Sequence, residues 1–316
     1  MSIYKKVYFI GNGFDLHHGM HSGYNDFKEW LKTNRNSVFE NLIRIYGDIN
    51  DNWWCKFEEN LSNFDPNKFP MEITDNSCLK QLRKLIERYE EEGRSFINDL
   101  ELREGISNQH VRAGEIAHFE MKHLHDDLRE AFGEWVKSIE IPPKTKMDCN
   151  LDATALFFTL NYTKTLESLY NIDESQVIHL HGSIDSREII FGHHMTAEKM
   201  LERDMDNHMY DRNPEKDKGE FNARTAMFEV AEELMKPVER ILLDFSTEFY
   251  SLTSVTELEV LGFSYSPIDL PYLERIIEIT GNNITAKLGY HSEEDKCNLN
   301  DFAQKIGLKT DNMFYF

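Results

Sequence analysis

The sequence predicts an α/β protein with a doubly wound, mostly parallel Rossmann-like sheet and large helical insertions. Three observations carry this prediction. Short apolar runs of strand length alternate with amphipathic helical stretches, these runs end in glycine or small polar residues, and the first opens directly into a glycine turn at the entrance to a helix.

That first strand is Val7-Tyr8-Phe9-Ile10, and the turn and helix start are Gly11-Asn12-Gly13-Phe14-Asp15-Leu16-His17-His18-Gly19. A turn of this kind lets backbone N–H groups and a helix N-terminus approach a phosphate. Gly11 and Gly13 remove the Cβ atoms that would hold a ligand off, so a nucleotide is the first ligand to consider; glycine turns after strands also serve packing alone. Tyr24 to Leu31 then shows helical spacing, and no second strand stands where a dehydrogenase needs one to place its ribose-binding acid about 20 residues on. Leu16 occupies the position of the third glycine of G-x-G-x-x-G.

Residues 38–145 read as helical and charged, with Trp53, Trp54 and Phe57 in one cluster. From His110 to Ile139, apolar residues Ile116, Phe119, Met121, Leu124, Leu128, Phe132 and Trp135 recur mostly at three- and four-residue steps, as on an amphipathic helix. The expected organisation is one α/β domain over 1–316 with a helical insertion at 38–150, its charges forming a solvated face. Further strands are expected at Ala153–Leu160, Gln176–His181, Glu188–Phe191, Glu257–Leu261 and Ile284–Leu288, the last preceding a short helix from Asp301 to Ile306. A second helical insertion is expected at 195–250; it contains Asp204-Met205-Asp206 and a loop from Asn213 to Gly219.

With 40% hydrophobic residues, 21 Phe and 13 Tyr in 316 residues, the chain can bury a large core. The net charge of -21, spread along the chain, argues against binding nucleic acid or an anionic membrane surface. A small nucleotide is still admissible, because local backbone donors outweigh a screened, distant charge. Cys55, Cys78, Cys149 and Cys297 lie far apart and read as reduced thiols. The adjacent pairs His17, His18 and His193, His194 lack metal-ligand spacing, so no metal is expected. The N-terminal apolar run is too short for a signal peptide and no long apolar stretch follows, which predicts a cytoplasmic protein.

Three polar clusters fall at carboxyl ends of expected strands, where a doubly wound sheet puts its ligand crevice. The first is the glycine turn. The second is Asn161-Tyr162-Thr163, with Thr163 expected to cap a helix over Lys164–Tyr170. The third is His181-Gly182-Ser183; strand alternation predicts that His179 and His181 share a face, with His181 nearer the crevice. Asn161 offers an amide for a water or a ribose hydroxyl and His181 a base of near-neutral pKa, a pair suited to cleavage at an anomeric carbon beside a cationic leaving group. Taken singly, each also reads as a turn-forming Asn and a packed His. A fourth run, Val260 to Asp269, fits either the adenosine end of a dinucleotide or a plain strand-to-helix turn.

Gly11-Asn12-Gly13-Phe14-Asp15, Gly19, Tyr24-Asn25-Asp26-Phe27, Asn161-Tyr162-Thr163-Lys164-Thr165-Leu166-Glu167, His179-Leu180-His181-Gly182-Ser183 and Gly262-Phe263-Ser264-Tyr265 together resemble the bacteriophage abortive-infection AbiH family. That family is similar in turn to the sirtuin-like domains of antiphage systems, several of which hydrolyse NAD. The spacing of Gly11, Gly13, Asp15 and Gly19 matches the sirtuin G-A-G-x-S-x-x-x-G, Thr159-Leu160-Asn161 matches T-Q-N, and His181-Gly182 matches H-G. The resemblance implies an antiphage protein that hydrolyses the N-glycosidic bond of NAD to nicotinamide and ADP-ribose, with Asn161 and His181 catalytic. It further implies nucleotide contacts from Gly11, Asn12, Gly13, Phe14, Asp15, Asp26, Phe27, Gly182, Gly262 and Ser264. Asp15, Leu160 and Thr163 depart from the sirtuin Ser, Gln and Asp, and the zinc-ribbon cysteines are missing, which argues against protein deacetylation. Asp15 is expected to cap the following helix or to hold a ribose. The alternative implied by these departures is a non-catalytic sensor or scaffold that binds NAD or ADP-ribose. Either reading admits a homo-oligomer built through the helical region and a phage-derived activator.

Overall fold

A computed structural model describes residues 4–47, 49–64, 66, 109–143, 149–207, 218–281, 284–308 and 312–316. Its elements begin with β1 (Lys6–Ile10), α1 (Gly13–His17), α2 (Tyr24–Asn34), α3 (Asn36–Tyr46), α4 (Asp51–Cys55), α5 (Phe57–Asn60) and α6 (Gln109–Ser138). There follow β2 (Leu156–Thr159), α7 (Thr165–Tyr170), β3 (Val177–His179), α8 (Ala197–Asn207), α9 (Lys218–Glu232), α10 (Val238–Asp244) and α11 (Ser246–Tyr250). The chain then forms β4 (Glu257–Leu261), α12 (Leu270–Thr280), β5 (Thr285–Tyr290), α13 (Glu293–Ile306) and β6 (Met313–Tyr315).

The six strands form one sheet, all parallel, in the order β3-β2-β1-β4-β5-β6. This is the doubly wound order, and it puts the switch point between β1 and β4. The central strands are apolar throughout because both faces are covered: Val7, Tyr8, Phe9 and Ile10 are all buried. Val7, Phe9, Phe158 and Val260 pack on one face with Leu273 and Ile276 of α12 and Phe302 of α13. Tyr8, Ile10, Phe157 and Leu261 pack on the other with Phe14 of α1 and Leu166 of α7. Tyr8 pairs in register with Phe157, and their rings stack at 4.8 Å.

Contact density divides the chain into two units. The sheet unit comprises Met1–Phe27, Gly133–Phe191 and Lys236–Phe316; the helical unit comprises Lys28–Phe132 and Gly192–Met235. Within the helical unit Trp54 stacks on Phe57 at 5.3 Å, and Phe64 meets Phe228 at 5.0 Å. Asp204, read as part of a polar stretch, is buried and pairs through both oxygens with buried Arg224, at 3.0 and 2.8 Å. Removing the cation alone leaves a buried carboxylate without its counter-charge. Arg224→Met is therefore expected to destabilise this unit by roughly 3–5 kcal/mol, with partial recovery in the Arg224→Met, Asp204→Leu double variant, measured by urea denaturation. A loss below about 1 kcal/mol in the single variant refutes that account.

Several expected elements differ from those found. No strand forms at 188–191: the Ile190 N–H donates to the His181 carbonyl, and the Ile190 carbonyl accepts from the Tyr162 hydroxyl, so these groups are satisfied without a ladder. The terminal helix α13 begins eight residues earlier than expected, at Glu293 instead of Asp301. Ser292 and Asp295 form a reciprocal capping box there. Strand β6 was not expected at all; three residues on the sheet edge are too few to show a period. Thr163 does not cap α7, because its hydroxyl goes to Asp15. Most of the expected loop from Asn213 to Gly219, and Cys78, lie outside the described residues, while Lys218 and Gly219 open α9. Cys55, Cys149 and Cys297 are free thiols. Among the described residues no helix is long and apolar enough to cross a membrane.

Candidate functional site

The glycine turn and the turn after β4 are built against each other. A Cβ at Gly11 would stand 2.5 Å from the Gly262 carbonyl oxygen, one at Gly13 2.7 Å from the Gly262 Cα, and one at Gly262 2.1 Å from the Phe14 nitrogen. Gly262 also holds a φ of +64°, a conformation that disfavours side chains. The missing Cβ atoms thus first serve backbone contact between the turns after β1 and β4. The amides follow the same logic: Gly11 N–H donates to the Leu261 carbonyl at 2.9 Å, Gly13 N–H to the Gly262 carbonyl at 2.8 Å and Phe14 N–H to the Gly11 carbonyl at 3.0 Å. These three amides are therefore engaged within the turn itself and with β4 and the turn after it.

Asp15 lies inside α1, almost wholly buried, and neither caps a helix nor faces solvent. Its carboxylate accepts from Thr163 Oγ1 at 2.5 Å, in the segment between β2 and α7, and from Thr165 Oγ1 at 2.8 Å, at the first residue of α7. The Asn161 side chain lies close enough to act on its charge. Burial raises the Asp15 pKa, and the hydrogen bonds from Thr163 and Thr165, together with the Asn161 side chain, work against that rise. Asn161 Oδ1 is buried and, among the described residues, has no hydrogen-bond partner. An acceptor in that state favours a ligand group that donates, such as a hydroxyl or a water.

His181 follows β3, two positions beyond the Thr159 and His179 pair of the ladder, as Asn161 follows β2. The Leu180 N–H continues the ladder to the Thr159 carbonyl at 3.0 Å, and the chain then turns, with the Gly182 N–H donating to the His179 carbonyl at 3.2 Å. The two histidines do not share a face as expected. His179 Nδ1 bonds the Asn161 carbonyl at 2.8 Å and Nε2 meets Glu167 of α7 at 3.0 Å. His181 lies beyond the strand, where alternation no longer applies, and its ring meets Tyr272 of α12 at 5.5 Å between centroids. Gly182, at a φ of +80°, turns the chain there, and a Cβ would stand 2.3 Å from the Glu188 carbonyl oxygen.

The His181 imidazole is buried, and its Nε2 has no hydrogen-bond partner while standing 3.5 Å from Asp269 Oδ1. Asp269 accepts from Lys236 Nζ at 3.0 and 3.3 Å, and Lys236 is itself buried. Burial, helped by the Lys236 charge and opposed by Asp269, lowers the His181 pKa to about 3. The imidazole is thus neutral at physiological pH, the form a general base requires.

The remaining expected contacts scatter. Asn12 is exposed and its Nδ2 donates to the Ser22 carbonyl at 2.9 Å. Asp26 receives the Gly23 N–H at 3.0 Å, while Phe27 is buried against Trp135 at 5.0 Å. Phe14 is buried between His18, Tyr170 and Phe316. Ser264 is exposed, next to Tyr265, whose hydroxyl donates to the Gly289 carbonyl at 3.0 Å. His18 is spent on the Phe14 carbonyl and the Tyr170 hydroxyl, and His193 on the Ala231 carbonyl and the Met195 N–H. Sequence reasoning missed Lys236, whose only signal is a lone cation before Pro237, and it assigned no role to Asp269 or Thr165.

The bacteriophage abortive infection AbiH family model matches residues 7–290. No curated protein and no solved structure gives a significant match to the chain. The matched span takes in β1, the glycine turn, Asn161, His181 and the turn after β4. The chain belongs to the bacteriophage abortive infection AbiH family, and its role lies in abortive infection.

Proposed function

We propose that this protein acts in the cytoplasm as an NAD glycohydrolase, releasing nicotinamide and ADP-ribose and so depleting the nucleotide in infected cells. The observation that carries the reading is the pair Asn161 and His181, both buried and each two residues past the last paired residues of neighbouring strands, with Asn161 Oδ1 lacking a hydrogen-bond partner among the described residues. In the reaction the bond between C1′ and the pyridinium nitrogen breaks with its electron pair going to nitrogen, so nicotinamide leaves neutral. Water oxygen bonds to C1′, and the water proton passes to His181. Asn161 Oδ1 accepts from the ribose hydroxyl or the attacking water and holds it in line. In this reading Gly182, Gly262, Ser264 and Asn12 are the contacts assigned to the rest of the nucleotide.

Purified protein incubated with NAD, alone and with lysate from phage-infected cells, is expected to release nicotinamide. Asn161→Ala and His181→Ala are each expected to lower that release by about 100-fold or more. Absence of nicotinamide under every activating condition, with both variants still protecting cells against phage, overturns the reading. One observation favours a second reading, a nucleotide-binding sensor without chemistry: the amides of Gly11, Gly13 and Phe14 are engaged within the chain. Calorimetric binding of NAD or ADP-ribose without turnover distinguishes that case.

A further inference from the structure

We propose that Asp269, held by Lys236, is the positioning residue that fixes the tautomer and orientation of His181, so that Nε2–H faces Asp269 and Nδ1 is the nitrogen that receives the substrate proton. The proposal rests on the glycohydrolase reading for its chemistry and on the geometry of three buried side chains for its physical content. His181 Nε2 stands 3.5 Å from Asp269 Oδ1, its facing charged group, and among the described residues it makes no hydrogen bond. A carboxylate only accepts, so the ring nitrogen facing it is the protonated one. The groups facing His181 are Asp269 from the start of α12, Lys236 from the segment before α10, and the rings of Tyr272 and Tyr162. Neither tyrosine ring supplies a charge to this pocket at neutral pH.

Lys236 and Asp269 do opposite things to the imidazole. The lysine pairs with Asp269 and disfavours a second cation at His181; the aspartate favours the imidazolium that forms when water gives up its proton. Their balance leaves the imidazole neutral, with Asp269 offsetting part of what burial and Lys236 do against the cation. The proton entering at Nδ1 makes His181 cationic while Nε2–H stays on Asp269, and loss of that proton to solvent restores the starting state. Buried charges left without such partners are costly, so the lysine also stabilises the aspartate in the absence of substrate.

The test reads His181 directly, by imidazole nitrogen NMR of full-length protein labelled at histidine, assigned with His181→Gln. In the native protein His181 is expected to remain the neutral Nε2–H tautomer from pH 8 down to about pH 4, consistent with a pKa lowered to about 3. Lys236→Met is expected to move the His181 titration to higher pH and Asp269→Asn to lower pH, while Lys236→Arg leaves it in place. Opposite displacements are not produced by general loosening, which moves both variants toward the ordinary histidine value. In turnover, Asp269→Asn is expected to lower kcat by about 100-fold with KM little changed. An Nδ1–H tautomer, or displacement of both variants in the same direction, overturns the proposal. Native protein that shows the tautomer and the opposite displacements but releases no nicotinamide overturns the glycohydrolase reading alone. A protein that hydrolyses NAD normally with Asp269→Asn in place overturns this proposal alone.

Discussion

Gly262→Ala is expected to destabilise the sheet unit by roughly 3–5 kcal/mol, enough to leave a marginally stable domain largely unfolded. The added Cβ would stand 2.1 Å from the Phe14 nitrogen and 2.5 Å from the Gly13 carbonyl carbon. Both neighbours are backbone, so no side chain can rotate out of the way. The φ of +64° adds a penalty of about 1–2 kcal/mol for a residue with a Cβ. Gly19 is the internal control: its φ is +74°, but a Cβ there meets nothing within 4 Å. Gly19→Ala is accordingly expected to cost only about 1 kcal/mol. Urea denaturation of the two variants beside the native chain decides the matter, and equal losses refute the claim that turn-to-turn contact, more than left-handed backbone, makes Gly262 necessary.

The second large effect is acid lability. Burial lowers His181 and His125 to about 3 and His193 to about 4, each from the ordinary 6.5. A histidine kept neutral by the fold takes up its proton more readily in the unfolded chain. The stability it contributes is therefore complete above pH 6.5 and is lost as pH falls toward the folded value. At pH 5, 1.5 units below the unfolded value, each of the three accounts for a loss of ~2 kcal/mol. Asp15 acts in the other direction, since its raised pKa makes the folded form the better proton acceptor as pH falls, and it offsets part of the His181 loss. His125 and His193 both belong to the helical unit, and His181 to the sheet unit. Between pH 7.5 and pH 5 the helical unit is expected to lose about twice the stability of the sheet unit. Urea midpoints followed at the two pH values test this, with His125→Phe expected to flatten the helical unit's dependence. A midpoint independent of pH over that range refutes the assignment of neutral buried imidazoles.

Some of this was open to reading in the sequence and some was not, for identifiable reasons. Strands β1 and β4 could be read almost to the residue because each carries apolar residues that end at a glycine, and Glu257–Leu261 is found as expected. The long helix expected from His110 to Ile139 forms as Gln109–Ser138, since its three- and four-residue apolar steps extend over many turns. At 188–191 the same kind of apolar text forms no strand, because its backbone groups find partners in the turn after β3 and in a tyrosine hydroxyl. Period alone does not reveal where hydrogen bonds go. The early start of α13 was legible after all, in Ser292 followed three residues later by Asp295.

The candidate site divides in the same way. Asn161 and His181 could be singled out because each follows an apolar strand at its carboxyl end, and local order is enough to say that. Lys236 carries no such mark. It reaches Asp269, 33 residues further along the chain, only through folding. Asp15 likewise finds Thr163 and Thr165 across 148 and 150 residues of sequence.

The sequence by itself determined the parallel α/β class, the glycine turn and the family, because these are written in local periodicity, in backbone-permissive residues and in the order of short motifs. Tertiary structure alone decided what those motifs touch. The glycines face the backbone of a second turn, the Asp15 carboxylate is taken by two threonines, and His181 stands 3.5 Å from an aspartate that a lysine holds. The physical reason is that burial and hydrogen-bond partnership belong to pairs of residues brought together by the sheet, and no single stretch of chain contains both members.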